Sequence, residues 1–149
     1  MFKICIIHGP NLNLLGQREP KIYGEMTFAE LNRQLIAYGE EKGLKVEIFQ
    51  SNHEGALVDR IQAAYGKFTG IVINPAAYTH TSIAILDALK AVNIPAVEVH
   101  LSAVQQREDF RRISYAGMAC CKTIVGLGFE GYREALLFLK QYSNPSKSV

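Results

Sequence analysis

Short apolar runs at regular intervals are the feature that most constrains how this chain can fold. Each run is rich in isoleucine and valine and has the length of one strand buried on both faces; the runs are 4–7, 46–49, 70–73, 96–99 and 123–127. The segments between them carry apolar residues at helical spacing. Strands that alternate with helices favour a parallel sheet, because parallel neighbours need a long crossover. The pattern predicts an α/β fold of the flavodoxin-like type: a three-layer sandwich whose five-stranded parallel sheet has the order 2-1-3-4-5, with helices on both faces.

Five helices are expected between and after these strands. The first begins at Thr27, which forms a capping box with Glu30, and it ends near Gly43. The other four are expected at about 51–65, 81–92 and 105–115, and from 129 onward. The fourth of the five is short and charged. The polar tail 143–149 contains a proline and is expected to fray.

Length, charge and cysteine content exclude several classes of protein. The 149 residues suit a single domain that spans residues 1–149. A net charge of +2 argues against a nucleic-acid binder. No run of about 18 apolar residues is present, so no membrane span is expected. The cysteines are Cys5 and the adjacent pair Cys120 and Cys121, an odd set that does not suit a disulfide framework. Reduced thiols predict a cytoplasmic protein.

The connection after the first strand, Gly9–Gly24, is much longer than the usual connection of about 2–6 residues. Four apolar residues can pack it onto the domain, which argues against disorder: Leu12, Leu14, Leu15 and Ile22. Arg18 and Tyr23 are its reactive pair. Taken singly, they are typical of a solvated charge and a surface aromatic. Together, on a loop beside the topological switch point of the sheet, they favour an active-site lid.

Polar residues also follow the third and fourth strands, where such a sheet places its chemistry. In the segment 74–82, one hydroxyl residue at 79, 81 or 82 must be a helix N-cap, but His80 is not needed for capping. Glu98 and His100 are two residues apart and share one strand face, where the carboxylate can orient the imidazole and favour its protonated form. The alternative is a core histidine satisfied by a neighbour. Arg107 and Arg111 share a helix face and suit an anion, unless they form a solvated basic face.

Several familiar motifs are missing from the sequence. It contains no P-loop, no GxGxxG after the first strand, no zinc-ligand spacing and no GxSxG elbow. We therefore expect a site without cofactor or metal. Its arginines, tyrosine, histidines and amides suit a small anionic polar molecule.

These residues lie in motifs that closely resemble those of the type II 3-dehydroquinate dehydratases. The resemblance runs from Ile4 to about Leu139. Its markers are GPNLNLLG and REPxIYG within 9–24, QSNHEG at 50–55, INPxAYTHTS at 73–82, VEVHLS at 97–102 and REDFRRxSY at 107–115. Chance agreement at so many separated motifs is remote. The resemblance implies a flavodoxin-like fold and a homododecamer built as a tetramer of trimers.

The resemblance also implies a hydro-lyase that needs no cofactor. Members of the family remove water from 3-dehydroquinate by anti elimination through an enolate, giving 3-dehydroshikimate in the third step of the shikimate pathway to chorismate and the aromatic amino acids. Tyr23 matches the base that takes the C2 proton, and Arg18 matches the group that holds this tyrosine ionised. His100 matches the acid that protonates the leaving C1 hydroxyl, with Glu98 as its partner. Asn11 would hold a water that stabilises the enolate oxygen.

The resemblance also implies which residues of this chain bind the substrate, because they occupy the family's substrate-binding positions. The matching residues are Asn74, His80, Leu101, Ser102 and Arg111, with Arg107 as a lid arginine. Asp87 matches a residue that reaches the substrate from a neighbouring subunit of the trimer. Three positions depart from the family pattern: His8 stands where asparagine is common, Ala76 where glycine is frequent, and Ala103 where asparagine is common. Ala103 is expected to affect substrate affinity more than the proton-transfer steps.

Two other functions are open to a chain with these residues. One is a non-catalytic flavodoxin-like module that binds a small anionic ligand, although mere binding would need no base such as Tyr23. The other is a lyase or isomerase of the same kind that acts on a different polyhydroxy acid.

Overall fold

The structure, a computed structural model, describes residues 2–17 and 26–142. Its five strands form one parallel sheet in the order 2-1-3-4-5, which confirms the predicted fold. The strands are β1 Phe2–His8, β2 Leu44–Gln50, β3 Gly70–Asn74, β4 Ala96–His100 and β5 Lys122–Val125. β5 ends two residues earlier than predicted, because Gly126 takes a φ of 75° that leaves the extended conformation.

Four α-helices lie within the described ranges: α1 Phe28–Glu41, α2 Glu54–Ala63, α3 Ile83–Val92 and α4 Phe129–Tyr142. α1 has the predicted capping box, in which the Thr27 hydroxyl accepts from the Glu30 N–H and the Glu30 carboxylate accepts from the Thr27 N–H. The N-cap of α3 is Ser82, whose hydroxyl accepts from the Ile85 N–H at 2.9 Å. No helix in these ranges is long and apolar enough to cross a membrane.

The prediction of an α-helix over about 105–115 is wrong. This segment forms two short 3-10 turns, Val104–Gln106 and Asp109–Arg112. No residue of the second turn is buried, and Phe110 is 63% exposed. A short helix depends on the burial of an apolar face, which this segment does not provide. Arg107 and Arg111 therefore do not share an α-helix face. The sequence also predicts Tyr65 on the buried face of α2. In the structure Tyr65 follows the last residue of α2, Ala63, and is 70% exposed.

Alternating side chains of the strands fill a core on each face of the sheet. Ile4 and Ile6 of β1 pack with α1 and α4, whereas Cys5 and Ile7 pack with α2 and α3. The parallel register brings the carboxyl ends of the strands to one edge, where His8 pairs with Gln50 on one side and Asn74 on the other. The predicted tail 143–149 lies outside the described residues.

Candidate active site

A cleft opens at the carboxyl ends of the central strands. It is lined by the start of the first connection, the turn after β3 and the segment after β4. Eight residues predicted from the sequence lie together in it: Asn11, Asn74, His80, His100, Leu101, Ser102, Arg107 and Arg111. They come from distant parts of the chain, and they meet because all parallel strands end at the same edge of the sheet.

His100, the last residue of β4, is 4% exposed at this cleft. Its Nε2 lies 3.1 Å from Oε2 of Glu98, so the pairing predicted from their two-residue spacing is confirmed. Nε2 has no well-aligned hydrogen-bond partner among the described residues. The contact is therefore an ion pair whose attraction appears when the ring is protonated.

Glu98 is completely buried beside His100, and three groups compensate for the burial of its charge. The Ser114 hydroxyl donates to Oε2, and the Thr123 hydroxyl donates to Oε1 at 2.9 Å. Burial opposes ionisation of Glu98, but the adjacent His100 ring and the two hydroxyl donors outweigh it and hold its pKa below the usual range. Glu98 therefore places a fixed negative charge 3.1 Å from the His100 ring.

His80 lies on the turn after β3, and its ring position is fixed by the chain itself. Nδ1 lies 2.7 Å from the Ile113 carbonyl, to which it donates. Burial lowers the pKa of His80, and the charges of His100 and Arg111 act in the same direction against the carbonyl hydrogen bond. In the neutral ring, Nε2 is then the acceptor, a suitable group for a ligand hydroxyl.

Asn74, the last residue of β3, is 3% exposed and has both ends of its amide engaged. Its Oδ1 accepts from the Ala76 N–H at 3.1 Å, and its Nδ2 donates to the Tyr132 hydroxyl at 3.1 Å. Ala76 has a φ of 53°, a left-handed conformation that explains why glycine suits this position. The turn thus aims a fixed amide at the cleft.

The described start of the first connection is packed onto the domain. Leu12 and Leu15 are buried as expected, whereas Leu14 is 39% exposed. Asn11 has a φ of 70°, and its N–H donates to Oδ1 of Asn52 at 3.0 Å. The Gln50 amide donates to that same oxygen, to the carbonyl of residue 9 and to the side chain of residue 13. These contacts hold the strained Asn11 backbone at the cleft.

The two arginines of the cleft converge on one carboxylate. Nε of Arg111 lies 2.6 Å from Oε2 of Glu108, and Nε of Arg107 lies 3.9 Å from the same oxygen. Glu108 is an exposed residue. An anionic ligand in the cleft would find two guanidinium groups already oriented, although by 3-10 turns and not by the α-helix expected from the sequence.

Three predicted site residues do not join this group. Arg18 and Tyr23 lie outside the described residues. Asp87 is exposed on α3 and does not line the cleft of its own chain. Within residues 2–17 and 26–142, no three His, Cys, Asp or Glu side chains are grouped so that they could hold a metal ion.

The sequence analysis missed the residues that support the site from behind. These are Gln50, Asn52, Ser114, Thr123 and Tyr132. Gln50 and Asn52 stand at a strand end, and this position could have marked them. Thr123 and Tyr132 have no local signal, because a strand threonine and a helical tyrosine are ordinary core or surface residues.

Comparisons with known proteins agree on one family. The model of the class II dehydroquinases matches residues 2–140. The chain is 50% identical over 147 residues to a 3-dehydroquinate dehydratase of Sulfurimonas denitrificans, covering 99% of this chain and 92% of that protein. It is 57% identical over 133 residues to catabolic 3-dehydroquinase 1 of Aspergillus terreus, covering 89% and 88% of the two chains. The crystal structure of a type II dehydroquinase from Butyrivibrio crossotus superposes with a TM-score of 0.92 at 50% identity, covering 93% of this chain and 97% of that one. The chain belongs to the class II dehydroquinase family.

Proposed function

We propose that this protein is a 3-dehydroquinate dehydratase, a hydro-lyase that converts 3-dehydroquinate to 3-dehydroshikimate in the third step of the shikimate pathway. The observation that carries the proposal is the buried Glu98–His100 pair at a cleft lined with amide and guanidinium groups, in a chain of this family. A module that only binds an anion would need the guanidinium groups, but not a buried carboxylate paired with an imidazole.

The first step is removal of a proton from C2 of the substrate. Tyr23 is the base, and the charge of Arg18 holds its hydroxyl ionised. A guanidinium at about 4 Å in an effective dielectric of about 20 stabilises a phenolate by roughly 4 kcal/mol. That energy is enough to bring the pKa of a tyrosine from about 10 toward neutrality, although burial opposes it. The electron pair of the broken C–H bond then forms the enolate, whose oxygen is stabilised by a water held at Asn11.

The second step expels the C1 hydroxyl. His100 donates its proton to this hydroxyl, which leaves as water while the enolate collapses to the conjugated enone. The buried Glu98 carboxylate lies 3.1 Å from Nε2 of the ring that gives up this proton and orients it. Asn74, His80, Arg111 and the Leu101–Ser102 segment bind the substrate, and Arg107 covers it.

The functional form is a homododecamer, a tetramer of trimers. Large exposed apolar side chains in the segment 109–119 support self-association: Phe110 at 63%, Ile113 at 52% and Met118 at 62%. Asp87, which is exposed and does not line the cleft of its own chain, contributes to the cleft of a neighbour. The free thiols of Cys5, Cys120 and Cys121 support a cytoplasmic location.

Turnover of 3-dehydroquinate tests the proposal, because the conjugated enone of the product absorbs in the ultraviolet and the substrate does not. We expect activity without added metal, unaffected by chelators or borohydride. Tyr23→Phe should abolish kcat and leave substrate binding largely intact, whereas Tyr65→Phe, on an exposed tyrosine, should behave as wild type. Wild-type protein that binds the substrate but never converts it would overturn the enzymatic function. A Tyr23→Phe variant that keeps most of its activity would overturn the assignment of the base.

A further inference from the structure

A chain of hydrogen bonds runs beneath the cleft from α1 to Asn74. Nε2 of His8 lies 3.2 Å from Oδ1 of Asn32 on α1, and Nδ1 of His8 lies 3.3 Å from the hydroxyl of Tyr132 on α4. That hydroxyl accepts from the Asn74 amide at 3.1 Å. His8 and Tyr132 are completely buried, and only Asn74 reaches the cleft.

The donor and the acceptor of each hydrogen bond in this series are fixed. Burial lowers the pKa of His8 to about 4, so at neutral pH its ring donates through one nitrogen and accepts through the other. The Asn74 amide nitrogen can only donate, so the Tyr132 oxygen accepts from it and the hydroxyl proton points to Nδ1 of His8. The remaining proton of His8 is on Nε2 and points to Asn32.

The opposite end of the same amide fixes its rotation. Oδ1 of Asn74 accepts from the Ala76 N–H. A flipped amide would turn its NH₂ group toward that N–H, so that two donors would meet without an acceptor. The Ala76 and Tyr132 contacts together give Asn74 one orientation, in which one amide hydrogen and one oxygen lone pair are left for a ligand in the cleft.

We propose that Tyr132 and His8 are positioning residues, which hold the Asn74 amide in the single orientation that binds substrate. The surrounding core on this face of the sheet is otherwise apolar, with Ile6, Val72 and Leu136 as its neighbours. Among the described residues, the buried hydroxyl of Tyr132 and imidazole of His8 form side-chain hydrogen bonds with one another, with Asn32 and with Asn74. The inference rests on the proposed function, in which Asn74 is a substrate ligand.

A double-mutant cycle between Tyr132 and Asn74 tests this role. Tyr132→Phe removes only the hydroxyl, so the protein should fold normally. We expect KM for 3-dehydroquinate to rise about tenfold while kcat changes much less, because the Asn74 amide, then held only by the Ala76 N–H, is less firmly oriented for substrate binding. In an Asn74→Ala background, Tyr132→Phe should change KM by less than twofold. Tyr142→Phe, on an exposed tyrosine of the same helix, is the matched control and should leave KM unchanged.

His8 provides a second, independent variant. His8→Leu removes the acceptor for the Tyr132 hydroxyl and should raise KM as Tyr132→Phe does. His8→Gln keeps a donor and an acceptor at similar length and should restore most of the affinity. Loss of packing alone would not be rescued in this way.

Each outcome decides the proposal. If the wild type is active and Tyr132→Phe leaves KM unchanged, or raises it equally in both Asn74 backgrounds, the positioning role is wrong. If the wild type has no turnover, the proposed function itself has failed. In that case, urea unfolding of the same four proteins still measures whether the two side chains are coupled, because this readout needs no substrate.

Discussion

Acidification should destabilise this protein through His8, and the size of the effect follows from its burial. Within residues 2–17 and 26–142, the groups that contact His8 are uncharged: Asn32 and Phe28 of α1, and Tyr132 of α4. Burial lowers the pKa of His8 from 6.5 to about 4. In the unfolded chain the same imidazole binds a proton near pH 6.5. Between these two values the unfolded state binds more protons than the folded state, so stability falls as the pH falls.

The expected loss can be worked out from the two pKa values. The full difference, at about 1.4 kcal/mol for each pH unit, is about 3.4 kcal/mol, reached below pH 4. Between pH 7.5 and pH 5.0 the loss is about 2 kcal/mol. With an m-value of about 2 kcal/mol per molar urea, the unfolding midpoint should move by about 1 M.

His8→Gln isolates this effect, because glutamine cannot titrate. Urea unfolding of the wild type and of the variant is measured at both pH values and at one protein concentration, so that subunit association affects both alike. Other titrating groups cancel in the difference between the two proteins. The free energy of the wild type should fall by about 2 kcal/mol more than that of His8→Gln. Parallel pH dependence of the two proteins would refute a buried, neutral His8.

Three further perturbations test the support of the site. Ala76→Gly should raise the free energy of unfolding by about 1 kcal/mol, because it relieves an alanine held in the left-handed conformation. Ala77→Gly in the same turn is the control and should lower the free energy of unfolding by about 0.5–1 kcal/mol. A lower free energy of unfolding for Ala76→Gly would contradict the left-handed conformation of this residue. Thr123→Val should lower the free energy of unfolding by about 1.5–3 kcal/mol, because it removes a donor to buried Glu98. Ser114→Ala should lower it further, since the Ser114 hydroxyl also accepts from the Gly117 N–H. A larger loss for Thr123→Val than for Ser114→Ala in urea unfolding would contradict this reasoning. Asn52→Ala should raise KM in the steady-state assay, because the Asn11 N–H loses its acceptor, and an unchanged KM would show that the loop is held in another way.

The sheet and most of its helices could be predicted from the sequence because local patterns specify them. The apolar runs gave all five strands, and the capping box at Thr27 gave the start of α1. The segment around 105–115 could not be predicted in the same way. Its charged residues have good helix propensity, but propensity is a weak guide where no apolar face is buried, and Phe110 and Ile113 are exposed.

The catalytic pair and the residues that line the cleft could also be predicted from the sequence, whereas the residues that support them from the core could not. His100 and Glu98 are two apart on one strand, so a periodicity of two was sufficient to pair them. Thr123 lies 25 residues from Glu98, and Tyr132 lies 58 residues from Asn74. Contacts at such separation depend on strand order and on the side from which a helix packs. The strand order was predicted from the alternation of strands and helices, but the side from which a helix packs is not encoded in a local motif.

The proposed catalytic groups belong to two parts of the chain, the sheet and the first connection, so the proposed reaction depends on where that connection is placed. His100 is fixed by β4 and by Glu98, but Tyr23 and Arg18 belong to the chain that follows Asn11. Effective proton transfer needs both groups at the same substrate carbon skeleton, and a displacement of about 1 Å can cost a hundredfold in rate. Gln50 and Asn52 fix where the connection leaves the sheet through hydrogen bonds to its backbone and side chains. Gln50 and Asn52 of the motif at 50–55 therefore support the connection in which we propose that the base lies.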